Sequence, residues 1–191
     1  MMTEETHYDK FYKKGGFGYD KKLEHHKKWI YSNFIKDGDI ENTVLDVGCG
    51  DGFWSVILSP HFKSVTGVEP SRGGIEMANK RKIKLELNNT TFLVGNGLDV
   101  EDKFDVLFLR APSFFNCPPS SDLFFKSLEK MTSLYNKRLV WITPIKKPYN
   151  TWNPAKSSYF QDPTNIDKVF SKYGNTTIEV IDNYLIATIT K

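Results

Sequence analysis

The 191-residue sequence predicts an α/β fold, a doubly wound and mostly parallel sheet with helices on both faces. Three observations carry this expectation. From Thr43 onward short apolar runs alternate with segments of helical period, the run Val106 to Leu109 is unbroken by polar residues, and a glycine-rich turn joins the first run to the first helix behind it. The length suits one domain large enough for a sheet covered by helices. With 39% hydrophobic and 26% charged residues, the composition is that of a folded globular chain.

In order, Thr43 to Val47 reads as a buried strand and Phe53 to Leu58 as the helix behind it. Ser64 to Val68 is a second strand, and Ser71 is placed to cap a helix running through Ile75, Met77 and Ala78. Thr90 to Val94 and Phe104 to Leu109 follow as strands three and four. A helix from about Ser121 to Tyr135 sets Leu123, Phe124, Leu128, Met131 and Leu134 near one face, and Arg138 to Ile142 is the fifth strand. Pro144 to Pro163 holds four prolines and four large aromatics, and reads as an irregular insert. Asn165 to Tyr173 is the last helix. Thr176 to Ile181 and Tyr184 to Thr190 form a closing hairpin turned at Asp182-Asn183.

Residues 1–42 differ in character, with aromatics and glycines from Tyr8 to Tyr19 and then a helical stretch containing Leu23, Trp29, Ile30 and Phe34. They are too few for a second domain, so they are expected to form a lid or helical extension on a domain spanning 43–191. Between Lys10 and Lys36 eight lysines face two acids, Asp20 and Glu24. That bias suits either a solvated face or an anionic partner such as nucleic acid. No export signal and no apolar run near the ~18 residues of a membrane span is present, so a cytoplasmic location without a membrane partner is expected. Cys49 and Cys117 match no metal-ligand spacing and are expected as free thiols, with no metal site.

The chemistry is concentrated in Val44-Leu45-Asp46-Val47-Gly48-Cys49-Gly50-Asp51-Gly52-Phe53-Trp54, followed by Val65-Thr66-Gly67-Val68-Glu69. Glycines between strand and helix let a ligand approach the backbone. An acid at the tip of the next strand can accept from both hydroxyls of a ribose, and Glu69 stands 21 residues after Gly48, close to the ~20 typical of nucleoside sites. A dinucleotide fingerprint requires its third glycine where Phe53 stands. Asp46 would repel a pyrophosphate but can receive an ammonium, so the spacing and the charge favour a cationic nucleoside.

On these residues the chain resembles the class I, Rossmann-like S-adenosylmethionine-dependent methyltransferases, whose loop reads hydrophobic, hydrophobic, Asp, x, Gly, x, Gly, x, Gly. The resemblance runs from Thr43 to Lys191 and implies seven strands in the order 3-2-1-4-5-7-6, the last pair antiparallel. It implies S-adenosylmethionine as cofactor and S-adenosylhomocysteine as product, held by Asp46, Gly48, Cys49, Gly50, Gly52 and Glu69. Adenine is assigned to Asn96 and Gly97, with Asp99 a rival of Asn96. Arg110 and the residues after it, through Asn116, are implied to form the floor beside the reactive methyl.

Transfer of a methyl group needs alignment first and a base only for a protonated acceptor. Candidate bases are His25, His26, Tyr12 and Tyr19, with His7 and Tyr8 beside them. Phe114, Phe115, Asn116, Tyr149 and Trp152 are candidates for an acceptor pocket, with packing of the insert as the competing explanation. Asn116-Cys117-Pro118-Pro119 departs from the Asn-Pro-Pro-aromatic motif of amino methyltransferases acting on DNA bases, and Cys117-Pro118 reverses the Pro-Cys pair of cytosine C5 enzymes. A small-molecule or compact acceptor is therefore favoured over RNA or DNA. A protein that binds the nucleoside or a partner without turnover, and one that performs aminopropyl transfer or cleavage of the cofactor, stay open.

Overall fold

The computed structural model describes residues 7–16, 23–110, 112, 115, 122–144, 163–181 and 184–191. Two compact units divide the chain, Met1–Asp99 and Val100–Lys191. The strands form a seven-stranded sheet in the order 3-2-1-4-5-7-6 with helices around it, as the sequence predicts.

In the first unit α1 (His7–Lys13) and α2 (Leu23–Asn33) precede β1 (Thr43–Val47), α3 (Phe53–Leu58), β2 (Ser64–Glu69), α4 (Arg72–Lys84) and β3 (Thr90–Val94). β1 pairs in parallel with β2 and β2 with β3, so the carboxyl ends of the three strands lie on one side. Val44, Leu45, Ile57, Leu58, Val65 and Phe62 are buried between sheet and helices, and Phe62 meets Phe34, 6.0 Å away between ring centroids. Ser71 caps α4 as expected, its hydroxyl accepting from the Gly74 N–H at 3.1 Å. β3 is an edge strand and leaves Leu93 and Val94 exposed.

The second unit holds β4 (Phe104–Arg110), α5 (Asp122–Ser133), β5 (Tyr135–Pro144), α6 (Pro163–Phe170), β6 (Asn175–Ile181) and β7 (Tyr184–Thr190). β4 and β5 are parallel, while β7 runs antiparallel to both β5 and β6. Val106 to Leu109 are fully buried, which is why that stretch tolerates no polar residue.

Several element boundaries depart from expectation. Tyr135 belongs to β5 rather than to the helix before it, because its ring is wholly buried and its backbone pairs with Phe104. α6 begins at Pro163, not after it; proline fits a first helical turn because the N–H it lacks has no intrahelical partner there. That helix ends at Phe170, short of the expected Tyr173. The remainder of the insert, 145–162, and the hairpin turn 182–183 lie outside the described residues. Among the described residues no helix is long and apolar enough to cross a membrane.

Candidate functional site

The candidate site lies at the carboxyl ends of β1, β2 and β3, within the first unit. The chain leaves β1 through Gly48, Cys49, Gly50, Asp51 and Gly52, and Gly50 and Gly52 adopt φ of 56° and 75°, where a side chain is strained. Each glycine has its own neighbour. A Cβ on Gly52 would come within 2.8 Å of both Ala78 Cβ and Phe92 Cζ, so this glycine serves the packing of the turn on α4 and β3. A Cβ on Gly50 would collide with the Tyr12 hydroxyl, and one on Gly48 would meet nothing within 4 Å. Gly48 therefore faces open space while Gly50 lies beneath α1.

Four of the five N–H groups of the turn are already engaged. Those of Gly48 and Cys49 both donate to the Val68 carbonyl, at 2.9 and 3.1 Å, and that of Gly52 donates to the Cys49 carbonyl at 2.9 Å. The Gly50 N–H donates to Glu69 Oε2 at 3.3 Å. A phosphate cradle needs such groups aimed at the ligand. Here three of them hold the turn to β2 and one closes the turn on itself, which argues against a pyrophosphate cradle.

Carboxylates dominate what remains. Asp46, Asp51 and Glu69 are all buried. Asp51 is matched by Arg81 of α4, with Nη2 2.9 Å from Oδ2. Asp46 accepts from the Ser55 hydroxyl at 2.6 Å, and Glu69 accepts from the N–H groups of Ser71 and Gly50. Each carboxylate retains lone pairs after those bonds. Burial pushes the Asp46 carboxyl up to about 7 from 3.8, against the Ser55 hydrogen bond and with help from the charges of Glu69 and Asp51. Burial likewise raises Glu69, opposed by the N–H groups of Ser71 and Gly50. A pocket whose acids are hard to ionise is poised for a cation, and the donor set fits an ammonium- and sulfonium-bearing nucleoside.

Tyr12 closes this region from above. Its ring is buried, and burial followed by the charges of Glu69 and Asp51 raises its phenol well above the usual tyrosine range. The phenol therefore stays protonated near neutral pH and suits donation of a hydrogen bond, not abstraction of a proton. Among the other nominated bases, His25 is exposed on α2, whereas His26 packs edge-on against Phe53 and Trp54, with centroids 5.4 and 5.0 Å away, at the first turn of α3. Tyr19 and the side chain of His7 lie outside the described residues.

Cys49 is buried. Its side chain belongs to a buried cluster with Ile75, Ala78 and Phe92, and burial raises its thiol well above the ordinary value. After β3, the Gly95 N–H donates to the Glu69 carbonyl at 3.0 Å, and exposed Asn96 accepts from the Leu98 N–H at 3.0 Å in an Asx turn. Gly97 is required by Val47, whose Cγ1 occupies the place of a Cβ. Asp99 is exposed.

In the second unit the Arg110 guanidinium lies 5.6 Å from the Tyr184 ring centroid. Phe115, read as an acceptor contact, is instead buried between Phe124 and Trp141, each 5.2 Å away, because a ring that size is most stable in the aromatic core. Phe114, Asn116, Tyr149 and Trp152 lie outside the described residues. The sequence reading missed Ser55, Arg81 and Asp9. Ser55 lies one helical turn beyond Gly52, and its spacing from Asp46 carries no signal until the turn is folded.

Residues 39–182 match the family described as Methyltransferase domain. An uncharacterized RNA methyltransferase of Staphylococcus aureus is 30% identical over 142 residues, which cover 72% of this chain but 31% of the relative. The chain thus spans about a third of the length of the curated relatives it matches first. Among solved structures, a DhpI–SAH complex superposes with a TM-score of 0.73 at 17% identity, covering 95% of this chain and 91% of the other. Magnesium protoporphyrin IX methyltransferase from Synechocystis with bound SAM gives 0.63 at 17% identity, covering 91% and 80%.

Proposed function

The chain belongs to the class I S-adenosylmethionine-dependent methyltransferase family, and from that premise we propose that it methylates a small molecule at a cofactor site built on the Gly48–Gly52 turn. The observation that carries this reading is the pairing of spent N–H donors with under-neutralised carboxylates at the turn. When bound, S-adenosylmethionine supplies a methyl carbon whose bond to sulfur breaks as the acceptor's lone pair attacks, the electron pair returning to sulfur to leave S-adenosylhomocysteine.

In this reading Asp46 receives the ammonium of the methionine part, and Glu69 the ribose hydroxyls. Gly48 gives the ligand room, and the segment after β3 covers adenine with Asn96 and Gly97. Residues 1–42 act as a lid, with Tyr12 as the cover over the turn and a hydrogen-bond donor to the ligand. His26 is the best-placed candidate for a base where the acceptor is protonated, since it packs on the first turn of α3. Support for a small acceptor comes from the Synechocystis enzyme, whose substrate is magnesium protoporphyrin IX, and from the departures of the Asn116-Cys117-Pro118-Pro119 segment from base-methylating motifs.

Calorimetry with S-adenosylhomocysteine should give saturable binding, and isotopically labelled cofactor should mark a low-molecular-weight acceptor in metabolite pools. Binding of a nicotinamide dinucleotide in its place would overturn the reading. A second reading, RNA as acceptor, is favoured by the name of the Staphylococcus relative and by a cleft of about 340 Å³ lined in part by Lys27, Lys28, Tyr31 and His61. It predicts RNA affinity that falls steeply with salt.

A further inference from the structure

One buried carboxylate near the turn is left unused by this reading. Asp9 of α1 lies 62 and 64 residues from its two partners, and its Oδ1 accepts from the Ser71 hydroxyl at 2.6 Å and from the Gly73 N–H at 2.9 Å. Those groups stand at the start of α4, where backbone N–H groups have no intrahelical partner and the helix dipole favours negative charge. The first turn of α4 contains no acid of its own. Its cap is therefore divided between Ser71, which serves Gly74, and a carboxylate delivered by another helix.

The same helix carries Tyr12, three residues after Asp9 and so on the same face. Its ring and hydroxyl rest against two positions without side chains, since a Cβ on Gly74 would lie 3.1 Å from Tyr12 Cε2 and one on Gly50 would meet the hydroxyl. Gly73 fits the pattern: a Cβ there would lie 3.2 Å from the Asp9 carbonyl oxygen. Two glycines in the first turn of a helix weaken that helix, and docking of α1 against them explains their presence.

We propose that Asp9 is a positioning residue for the cofactor site: by capping α4 from α1, it clasps the helix so that Tyr12 stays seated over the Gly48–Gly52 turn. This rests on the preceding reading, in which the turn holds the cofactor. Asp9 acts through Tyr12 and touches no reacting atom. Asparagine keeps a side-chain carbonyl that accepts both bonds, whereas alanine keeps none.

The test uses the full chain with S-adenosylhomocysteine as probe, together with hydrogen exchange and thermal melting. Asp9→Ala is expected to speed exchange of the α1 amides about tenfold, leave exchange in β1 and β2 unchanged, and weaken probe affinity about tenfold. Asp9→Asn is expected to restore most of both. Tyr12→Ala should weaken the probe to a similar degree, and the double variant should be no worse than either single one. Losses that multiply in the double variant would overturn the proposal, as would unchanged α1 exchange in Asp9→Ala or failure of that variant to fold. Failure of the wild-type chain to bind the probe would instead sink the cofactor reading and leave the exchange result to judge the clasp.

Discussion

Asp46 should make cofactor affinity depend on pH in a window where few carboxylates titrate. With its carboxyl at about 7 in the ligand-free protein, the ionised fraction falls from roughly nine-tenths at pH 8 to one-tenth at pH 6. If the ionised form is the one that receives the ligand ammonium, affinity for S-adenosylhomocysteine drops about tenfold over that interval. Binding at pH 6 then releases close to one proton. Calorimetry in two buffers of different ionisation heat measures both quantities. Asp46→Asn should abolish the slope and bind weakly throughout. Stability should follow the complementary rule. The folded-state value lies above the ordinary 3.8, so the folded chain binds more protons between pH 4 and 7 and gains stability as pH falls through that range. The gap corresponds to roughly 4 kcal/mol at ~1.4 kcal/mol per pH unit, absent at low pH as a penalty and fully present above 7. Equal affinities at pH 6 and 8, or a slope that survives Asp46→Asn, would refute the assignment of this carboxylate.

Glu69→Ala should weaken cofactor binding by ~1–3 kcal/mol in calorimetry through the lost ribose hydrogen bonds, and unchanged affinity would remove Glu69 from the site. Gly52→Val should destabilise the fold by ~1–3 kcal/mol or more in a denaturant melt, since the new side chain meets Ala78 and Phe92 at a φ of 75°; a wild-type midpoint would contradict the packing role. Ser55→Ala removes the hydroxyl that donates to Asp46, so it should cost about 1.5–3 kcal/mol at pH 8, where the carboxylate is charged, and less at pH 5. A loss independent of pH would mean that the hydroxyl serves packing alone.

The sheet was legible because its signals are local. Unbroken apolar runs mark buried strands, and the start of α4 is announced by Ser71, a residue whose side chain satisfies its own helix. Tyr135 was misplaced because Leu134 and Tyr135 continue the helical period of α5 even though burial and pairing with Phe104 draw the tyrosine into β5. In the site, the acids and glycines were visible as types at a spacing, but their division of labour was not. That Gly52 serves Ala78 and Phe92 while Gly50 serves Tyr12 depends on contacts with residues tens of positions away. Asp9 was invisible for the same reason, being one acid in a charged helix until the fold carries it to Ser71. Phe115 looked like a pocket residue from its place after β4 and proved to be part of the aromatic core.

The Val68 carbonyl receives two N–H groups, from Gly48 and Cys49, so the bend after β1 is shaped by its neighbour. A one-step slip of that neighbour would change the receiving oxygen and send the Glu69 side chain to the opposite surface of the sheet. The placement of the Glu69 side chain thereby depends on the alignment of Val47 with Val68, two aliphatic residues with no polar side-chain group. Randomising the bend by itself leaves in place the scaffold that dictates its curvature.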